Sequence, residues 1–153
     1  MSLEIASSSF KASGPIPRRH TADGPDLSPP LTWKGIPEGM GSLVVVCEDP
    51  DAPAGTWVHW VYYNLPPHLK GLPEGVPTDP EPAMGGRQGI NDFGRYGYGG
   101  PSPPPGKPHR YFFKVFALDS MLDLGPDADR TDIDRAMTGH ILAEGELVGT
   151  YKR

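Results

Sequence analysis

The stretch LVVVCEDPDAPAGTWVHWVYYN, residues 43–64, contains two apolar segments on either side of a short turn. Residues 43–48 and 57–64 are apolar at odd and even positions alike and are rich in β-branched and aromatic side chains. This pattern is typical of central β-strands that are buried on both faces of a layered structure. Residues 49–56 include two prolines and a glycine, which favour a turn. The stretch therefore predicts two central strands of a β protein.

Weaker patterns predict the remaining elements. Strand-like segments occur at residues 3–10, 31–33, 111–118 and 146–151. Only residues 131–143 have helical periodicity, and Gly139 is expected to divide them into two short helices. We therefore expect a single domain over residues 1–153 that is mainly β, with two packed antiparallel sheets and one or two short C-terminal helices.

Two long segments rich in proline and glycine connect these elements, at residues 14–30 and 65–108. A coil as long as the first has to be held against the domain if it is ordered. The second carries Phe93, Tyr96 and Tyr98 among its glycines. Aromatic side chains in such a loop favour packing onto the domain over a flexible tether.

Composition excludes several classes of protein. The chain has 20 glycines and 20 prolines, yet its apolar runs favour a folded, loop-rich protein over disorder. The net charge of −5 argues against a nucleic-acid partner. The lone Cys47 excludes an internal disulfide, is expected to be buried, and indicates a reducing compartment. Residues 1–10 lack a secretory signal, and no run of about 18 apolar residues predicts an integral membrane segment. We therefore expect a cytoplasmic protein.

Polar side chains interrupt the apolar runs at three places. Asp49 follows the first central strand, His59 lies inside the second, and His109 precedes the strand at 111–118. Burying such groups costs several kcal/mol unless they find partners, so we expect them to meet in a pocket. Asp49 is the expected acceptor that orients the imidazoles, and backbone N–H groups of residues 99–106 are expected to add donors.

Strand alternation assigns these side chains to faces. Trp57, His59 and Val61 are expected to share one face of their strand, and His109 shares a face with Tyr111. Arg110 then points the other way, where it is a natural structural partner for Asp51.

Other chemistries fit the sequence less well. Two histidines and an aspartate match no tight metal motif, so no metal is expected. Ser102 lacks the glycine-flanked turn of a serine hydrolase, and GGRQG (85–89) is neither a phosphate-binding nor a dinucleotide loop. Three further histidines are expected to be surface or structural residues: His20, His68 and His140.

Two sequence signatures carry a resemblance to a known protein family. The first is DPDAP (49–53) followed by WVHW (57–60), and the second runs from NDFG (91–94) through YGGP (98–101) to PHRY (108–111). Together they resemble the phosphatidylethanolamine-binding protein family, in particular its bacterial and archaeal branch similar to Raf kinase inhibitor protein (YbhB/YbcL type). The resemblance extends from about SPPLTW (28–33) to GELVGTY (145–151), most of the chain.

The resemblance implies a β-sandwich with Greek-key connections and a small anion pocket open to solvent. The pocket residues of the family carry over to Asp49, His59 and His109, and the neighbouring walls carry over to Pro53, Trp57 and Tyr111. Members bind phosphate-like groups, including phospholipid head groups, and several inhibit kinases or proteases. The prokaryotic branch implies a homodimer. Ser102 departs from the branch, where cysteine is frequent.

Two functional hypotheses follow. The first is a non-enzymatic binding protein that holds a small anion or phosphorylated ligand, needs no cofactor and modulates a kinase or protease. The alternative is an enzyme that uses Asp49, His59 and His109 as acid and base on a small anionic substrate.

Overall fold

The computed structural model describes residues 2–153. In this part of the chain the strands are β1 (Glu4–Ala6), β2 (Leu31–Lys34), β3 (Ser42–Asp49), β4 (Trp57–Leu65), β5 (Gly71–Leu72), β6 (Arg87–Gln88), β7 (His109–Leu118) and β8 (Ile141–Tyr151), and one helix, α1, spans Arg130–Met137. A short 3-10 helix lies at Arg18–His20. The long strands β3, β4 and β7 are those that the apolar runs predict.

The strands form two antiparallel sheets. The larger has the order β6-β4-β3-β7-β8, and the smaller has the order β1-β2-β5. β3 lies at the centre of the larger sheet because it pairs with β4 on one side and with β7 on the other. Between β4 and β7 the chain forms β5 in the smaller sheet and then β6 in the larger sheet. The prediction of a mainly β protein with two antiparallel sheets is confirmed.

Each face of the larger sheet has its own core. Between the sheets, Leu43, Val45 and Cys47 of β3 pack with Trp33 of β2 and Phe113 of β7. On the outer face, residues of opposite parity on β3 and β7 pack against α1 through Ile133 and Met137. Every residue of β3 is buried, as expected for a central strand covered on both faces.

The C-terminal region contains one helix rather than two. Asp129 caps α1 through a capping box with Asp132. Gly139, which has a φ of +81°, ends the helical region instead of dividing it. Ile141 already pairs with Leu118 of β7. Its apolar side chain is therefore part of strand β8 and not of the helical periodicity at residues 131–143.

The two long loops are held against the sheets. The Ile16 N–H donates to the Thr150 carbonyl at 2.7 Å, and the Tyr98 hydroxyl donates to the His20 carbonyl at 2.6 Å. Residues 89–99 run beside β4 and bond to it at Val58, His59 and Val61. Among residues 2–153, no helix is long and apolar enough to cross a membrane.

Candidate functional site

The ends of three adjacent strands create a pocket on the inner face of the larger sheet. Because β3 is antiparallel to both of its neighbours, its C-terminal end lies beside the N-terminal ends of β4 and β7. Asp49 ends β3, Trp57 begins β4 and His109 begins β7. The three polar segments of the sequence therefore meet in space, around a cavity of about 180 Å³.

A β-bulge turns His59 into this pocket. Cys47 pairs with Trp60 and Glu48 pairs with Val58, so His59 is the extra residue opposite the β3 register. His59 and Trp60 consequently both belong to the inner face, whereas Val61 packs in the outer core. The expectation that Val61 shares a face with Trp57 and His59 is wrong, because strict alternation fails at a bulge.

His109 is held by a carboxylate. Its Nδ1 donates to Asp49 Oδ2 at 2.6 Å, and both side chains are nearly enclosed. A carboxylate oxygen can only accept, so Nδ1 carries a proton and Nε2 is the remaining ring nitrogen. The predicted contact between Asp49 and an imidazole exists at His109.

His59 is held by a backbone carbonyl instead. Its Nδ1 donates to the Gly99 carbonyl at 2.6 Å, while the Gly99 N–H donates back to the His59 carbonyl at 2.9 Å. Asp49 therefore orients one histidine and not both, which corrects the sequence prediction. Burial lowers the pKa of His59, and the charge of Asp49 opposes this effect without reversing it.

Aromatic and proline side chains form the walls. The predicted neighbours Pro53, Trp57 and Tyr111 all line the pocket. The His59 ring lies edge-on to Tyr111, with 5.2 Å between ring centroids, and to Phe93, with 5.3 Å. Both contacts hold the imidazole in place.

Several lining residues were not among the predicted site residues. They are Ala52, Phe93, Ser102, Pro103 and Pro104. Phe93 had a signal in the sequence, since Asn91 lies two residues before it. The Asn91 side-chain oxygen accepts from the N–H groups of Phe93 and Arg95 and folds the loop that presents the ring.

Among residues 2–153, two buried polar atoms on side chains that line the pocket have no hydrogen-bond partner. Trp57 Nε1 and Tyr111 Oη are both buried and unpaired, an arrangement that costs free energy. Burial raises the pKa of Tyr111, so its phenol keeps its proton. Each of these atoms is an N–H or O–H donor on a side chain that lines the pocket.

Most of the backbone N–H groups that were expected to join the pocket are used elsewhere. The Gly99 N–H donates to the His59 carbonyl, the Gly100 N–H donates to Asp26 Oδ1, and the Gly106 N–H donates to the Arg153 carbonyl. Three of the four N–H groups in residues 99–106 are therefore bonded outside the pocket, and the Gly99 carbonyl supports the site by accepting from His59.

Asp51 and Arg110 form the expected structural ion pair outside the pocket. The Arg110 guanidinium donates to both carboxylate oxygens of Asp51 at 2.9 Å, and the Arg110 N–H also donates to Asp51 Oδ2. The guanidinium lowers the pKa of Asp51 to about 2. The pair ties the turn after β3 to the start of β7 and so supports the pocket from outside.

The other sequence candidates lie away from this chemistry. Cys47 is fully buried in the inner core, and burial raises the pKa of its thiol. His20 is structural and fully buried, while His68 and His140 are exposed. Among residues 2–153, no group of three or more His, Cys, Asp or Glu side chains is arranged to hold a metal ion.

Comparison with known proteins agrees with the two signatures and the two sheets. The sequence profile described as "Phosphatidylethanolamine-binding protein" matches residues 6–152. The chain belongs to the phosphatidylethanolamine-binding protein family. A crystal structure of Escherichia coli YbcL, described as a new member of the mammalian family, superposes with a TM-score of 0.92 at 32% identity and covers 100% of this chain and 99% of YbcL.

Several prokaryotic proteins are similar to nearly the whole of this chain. The chain is 48% identical to a UPF0098 protein of Methanothermobacter thermautotrophicus, over 99% of both chains. It is 51% identical to a UPF0098 protein of Aquifex aeolicus, over 99% of this chain and 89% of the relative. The structure of a putative phosphatidylethanolamine-binding protein homolog from Chlamydia trachomatis has a TM-score of 0.90 at 37% identity and covers 99% of this chain and 98% of that one.

Proposed function

We propose that the pocket binds a small anion of the phosphate type and that the protein acts by binding rather than by turnover. The observation that carries the proposal is the pair of imidazoles. Both Nδ1 atoms are committed to 2.6 Å hydrogen bonds, with Asp49 and with Gly99. Among residues 2–153 the Nε2 atoms of His59 and His109 make no hydrogen bond, and both rings line the pocket.

Anion binding at such a site is linked to a proton. With Nδ1 protonated, each Nε2 accepts when its ring is neutral and donates to an anion when its ring is charged. Burial lowers the pKa of His59, so its ring is neutral at pH 7 in the free protein. An anion favours the charged ring and takes up a proton as it binds, so affinity should rise as pH falls.

The size and walls of the cavity suit a small group. Its volume of about 180 Å³ lies below the roughly 300–1,000 Å³ of pockets for drug-sized ligands. The unpaired donors Trp57 Nε1 and Tyr111 Oη would be satisfied by oxygens of a tetrahedral anion. The walls of Pro53, Phe93 and Pro104 would contact an apolar or aliphatic continuation of the ligand.

The same residues support binding better than catalysis. Ser102 lines the pocket but makes no side-chain hydrogen bond to His59 or His109 within the described chain, so neither imidazole activates it. Cys47 is enclosed in the core. A screen for phosphatase and esterase activity should find no rate that an Asp49→Ala substitution removes; such a rate would favour the acid–base enzyme.

Calorimetric titration with sulfate and with inorganic phosphate tests the binding proposal. Sulfate keeps its charge between about pH 5.5 and about pH 8, so any pH dependence belongs to the protein. We expect sulfate affinity to rise by up to about tenfold per pH unit as pH falls through this range. His59→Ala should abolish the rise, His109→Ala should lower the affinity by removing an anion donor, and the exposed His68→Ala serves as the control.

Sulfate affinity that is independent of pH, or equal in all four proteins, would contradict the proposal. Inhibition of a kinase or protease, like dimerisation, stays a prediction from the family resemblance. Titration with a phosphoethanolamine head group in place of phosphate would show whether the walls add affinity.

A further inference from the structure

The peptide group between Gly99 and Gly100 is hydrogen-bonded at both of its polar atoms. Its carbonyl oxygen accepts from His59 Nδ1 at 2.6 Å, and its N–H donates to Asp26 Oδ1 at 2.8 Å. The carboxylate of Asp26 is therefore joined to the imidazole of His59 through one planar, resonant group. This chain of two hydrogen bonds lies behind the pocket and outside its lining.

The packing around this peptide leaves little freedom. A Cβ atom at Gly100 would collide with the His20 carbonyl and with the Asp26 carboxylate, so only glycine permits the approach. Asp26 has a φ of +60°, in the left-handed region that aspartate tolerates better than most residues. The Ala22 N–H also donates to the Pro101 carbonyl at 3.0 Å. The segment that carries Asp26 is thus fixed against the segment that holds His59.

Charged groups reach His59 from several sides. Asp49 approaches from β3, and Asp26 approaches from the 14–30 segment; both raise the pKa of His59 against the dominant effect of burial. His109 and Tyr111 of β7 line the same pocket, and Arg95 stacks on the Phe93 ring, with its Cζ 5.3 Å from the ring centroid. Asp26 differs from these groups because it acts on the acceptor of the His59 hydrogen bond.

We propose that Asp26 is a positioning residue, which fixes the Gly99–Gly100 peptide group and polarises its carbonyl toward His59. Hydrogen bonds in a chain strengthen one another, and an ionised acceptor at one end strengthens the next bond. The two histidines then have corresponding supports. Asp49 binds His109 directly, and Asp26 supports His59 through one peptide. The consequence for anion affinity rests on the proposed function, but the support itself does not.

Histidine NMR on the ligand-free protein tests the support. Asp26→Asn keeps an oxygen acceptor and a residue tolerant of the left-handed region but removes the charge. We expect it to lower the pKa of His59 by on the order of half a pH unit and to move the His59 Nδ1–H resonance upfield, as a weaker hydrogen bond requires. Sulfate affinity near pH 6 should fall by roughly threefold, because a pKa lower by half a unit reduces the protonated fraction of His59 by about that factor.

Asp92→Asn is the matched control. Asp92 Oδ2 also accepts from a backbone N–H beside His59, that of Val58 at 2.7 Å, but it does not touch the Gly99–Gly100 peptide. Its substitution should leave both NMR readouts of His59 unchanged. An unchanged His59 in Asp26→Asn, or an equal change in Asp92→Asn, would overturn the proposal. If the wild-type protein fails to bind sulfate while the NMR shifts appear, the proposed function fails and the positioning role stands.

Discussion

Buried histidines make the stability of this protein sensitive to pH. Burial lowers the pKa of His20 and of His59 below that of an exposed histidine, so the unfolded chain binds protons more readily than the folded one. The folded state is then favoured above the unfolded pKa of about 6.5 and loses stability as pH falls through it. Both residues act in the same direction, although only His59 faces the pocket.

We therefore predict that the free energy of unfolding decreases as pH falls from about 7.5 to about 5. Added sulfate should reduce the decrease, because an anion at His59 favours the protonated ring. Urea unfolding at several pH values measures both effects. The exposed His68→Ala variant should behave as the wild-type protein does, whereas a stability that rises toward pH 5 would refute the prediction.

The ion pair between Asp51 and Arg110 adds a second pH dependence of stability, at more acidic pH. Asp51 and Arg110 are tied by bidentate hydrogen bonds, yet the Arg110 side chain is 54% exposed. An exposed pair of this kind contributes about 0.2–1 kcal/mol. We predict a coupling in this range from a double-mutant cycle of Asp51→Ala and Arg110→Ala.

The sign of the pH dependence of this coupling follows from the lowered pKa of Asp51, which is about 2. The contribution is present above the ordinary carboxyl pKa of about 4 and is lost as pH falls toward 2. A cycle of Asp51→Ala with the exposed Lys107→Ala is the control and should show no coupling. Coupling as large at about pH 2 as at about pH 7 would argue against an ionic pair.

At the scale of single elements, the sequence predicts the ends of strands better than their irregularities. Asp49 and His109 were expected at strand ends because apolar runs stop there, and antiparallel pairing then brings them together. The bulge at His59 was not predictable from alternation, since it depends on how β3 and the loop at 89–99 pair with β4. The carbonyl of Gly99, 40 residues from His59, is fixed by long-range packing and leaves no local signal.

Helix α1 and the pocket lie on opposite faces of the larger sheet, which separates stability from binding. Asp129 accepts from the Asp132 N–H at 2.9 Å and begins the helix. We predict that Asp129→Ala lowers the free energy of unfolding by about 0.5–2 kcal/mol, the usual cost of a lost N-cap. Sulfate affinity should stay unchanged, because Ile133 and Met137 pack only in the outer core.

Urea unfolding of Asp129→Ala measures the loss of stability, and sulfate titration of the same variant measures whether the affinity is unchanged. Asp123→Ala removes an equivalent charge from an exposed position outside the helix and should leave stability within about 0.5 kcal/mol of wild type. A loss of sulfate affinity in Asp129→Ala would show that the two faces of the sheet are coupled.

At the scale of the whole molecule, the C-terminal strand reaches the rim of the pocket. The Arg153 guanidinium donates to the Pro103 carbonyl at 3.2 Å and to both carboxylate oxygens of Asp23. Asp23 Oδ2 also accepts from the Tyr151 hydroxyl at 2.7 Å. These bonds lower the pKa of Asp23 to about 2. The cluster joins the 14–30 segment, β8 and the proline-rich rim, three parts of the chain that no local sequence pattern connects.

We predict that Arg153→Ala loosens this rim without unfolding the sheets. Amide hydrogen exchange at Gly106, whose N–H donates to the carbonyl of residue 153 at 3.5 Å, should become faster, because the guanidinium no longer holds the end of the chain to the Pro103 carbonyl. Sulfate affinity should fall by about two- to tenfold, because the wall that is preformed in the wild-type protein would have to become ordered on binding in the variant. The neighbouring Lys152→Ala, also exposed, should change neither measurement. Faster exchange with unchanged affinity would mean that Pro103 and Pro104 do not contact the anion, and the binding site would then be confined to the histidines and the ends of β3, β4 and β7.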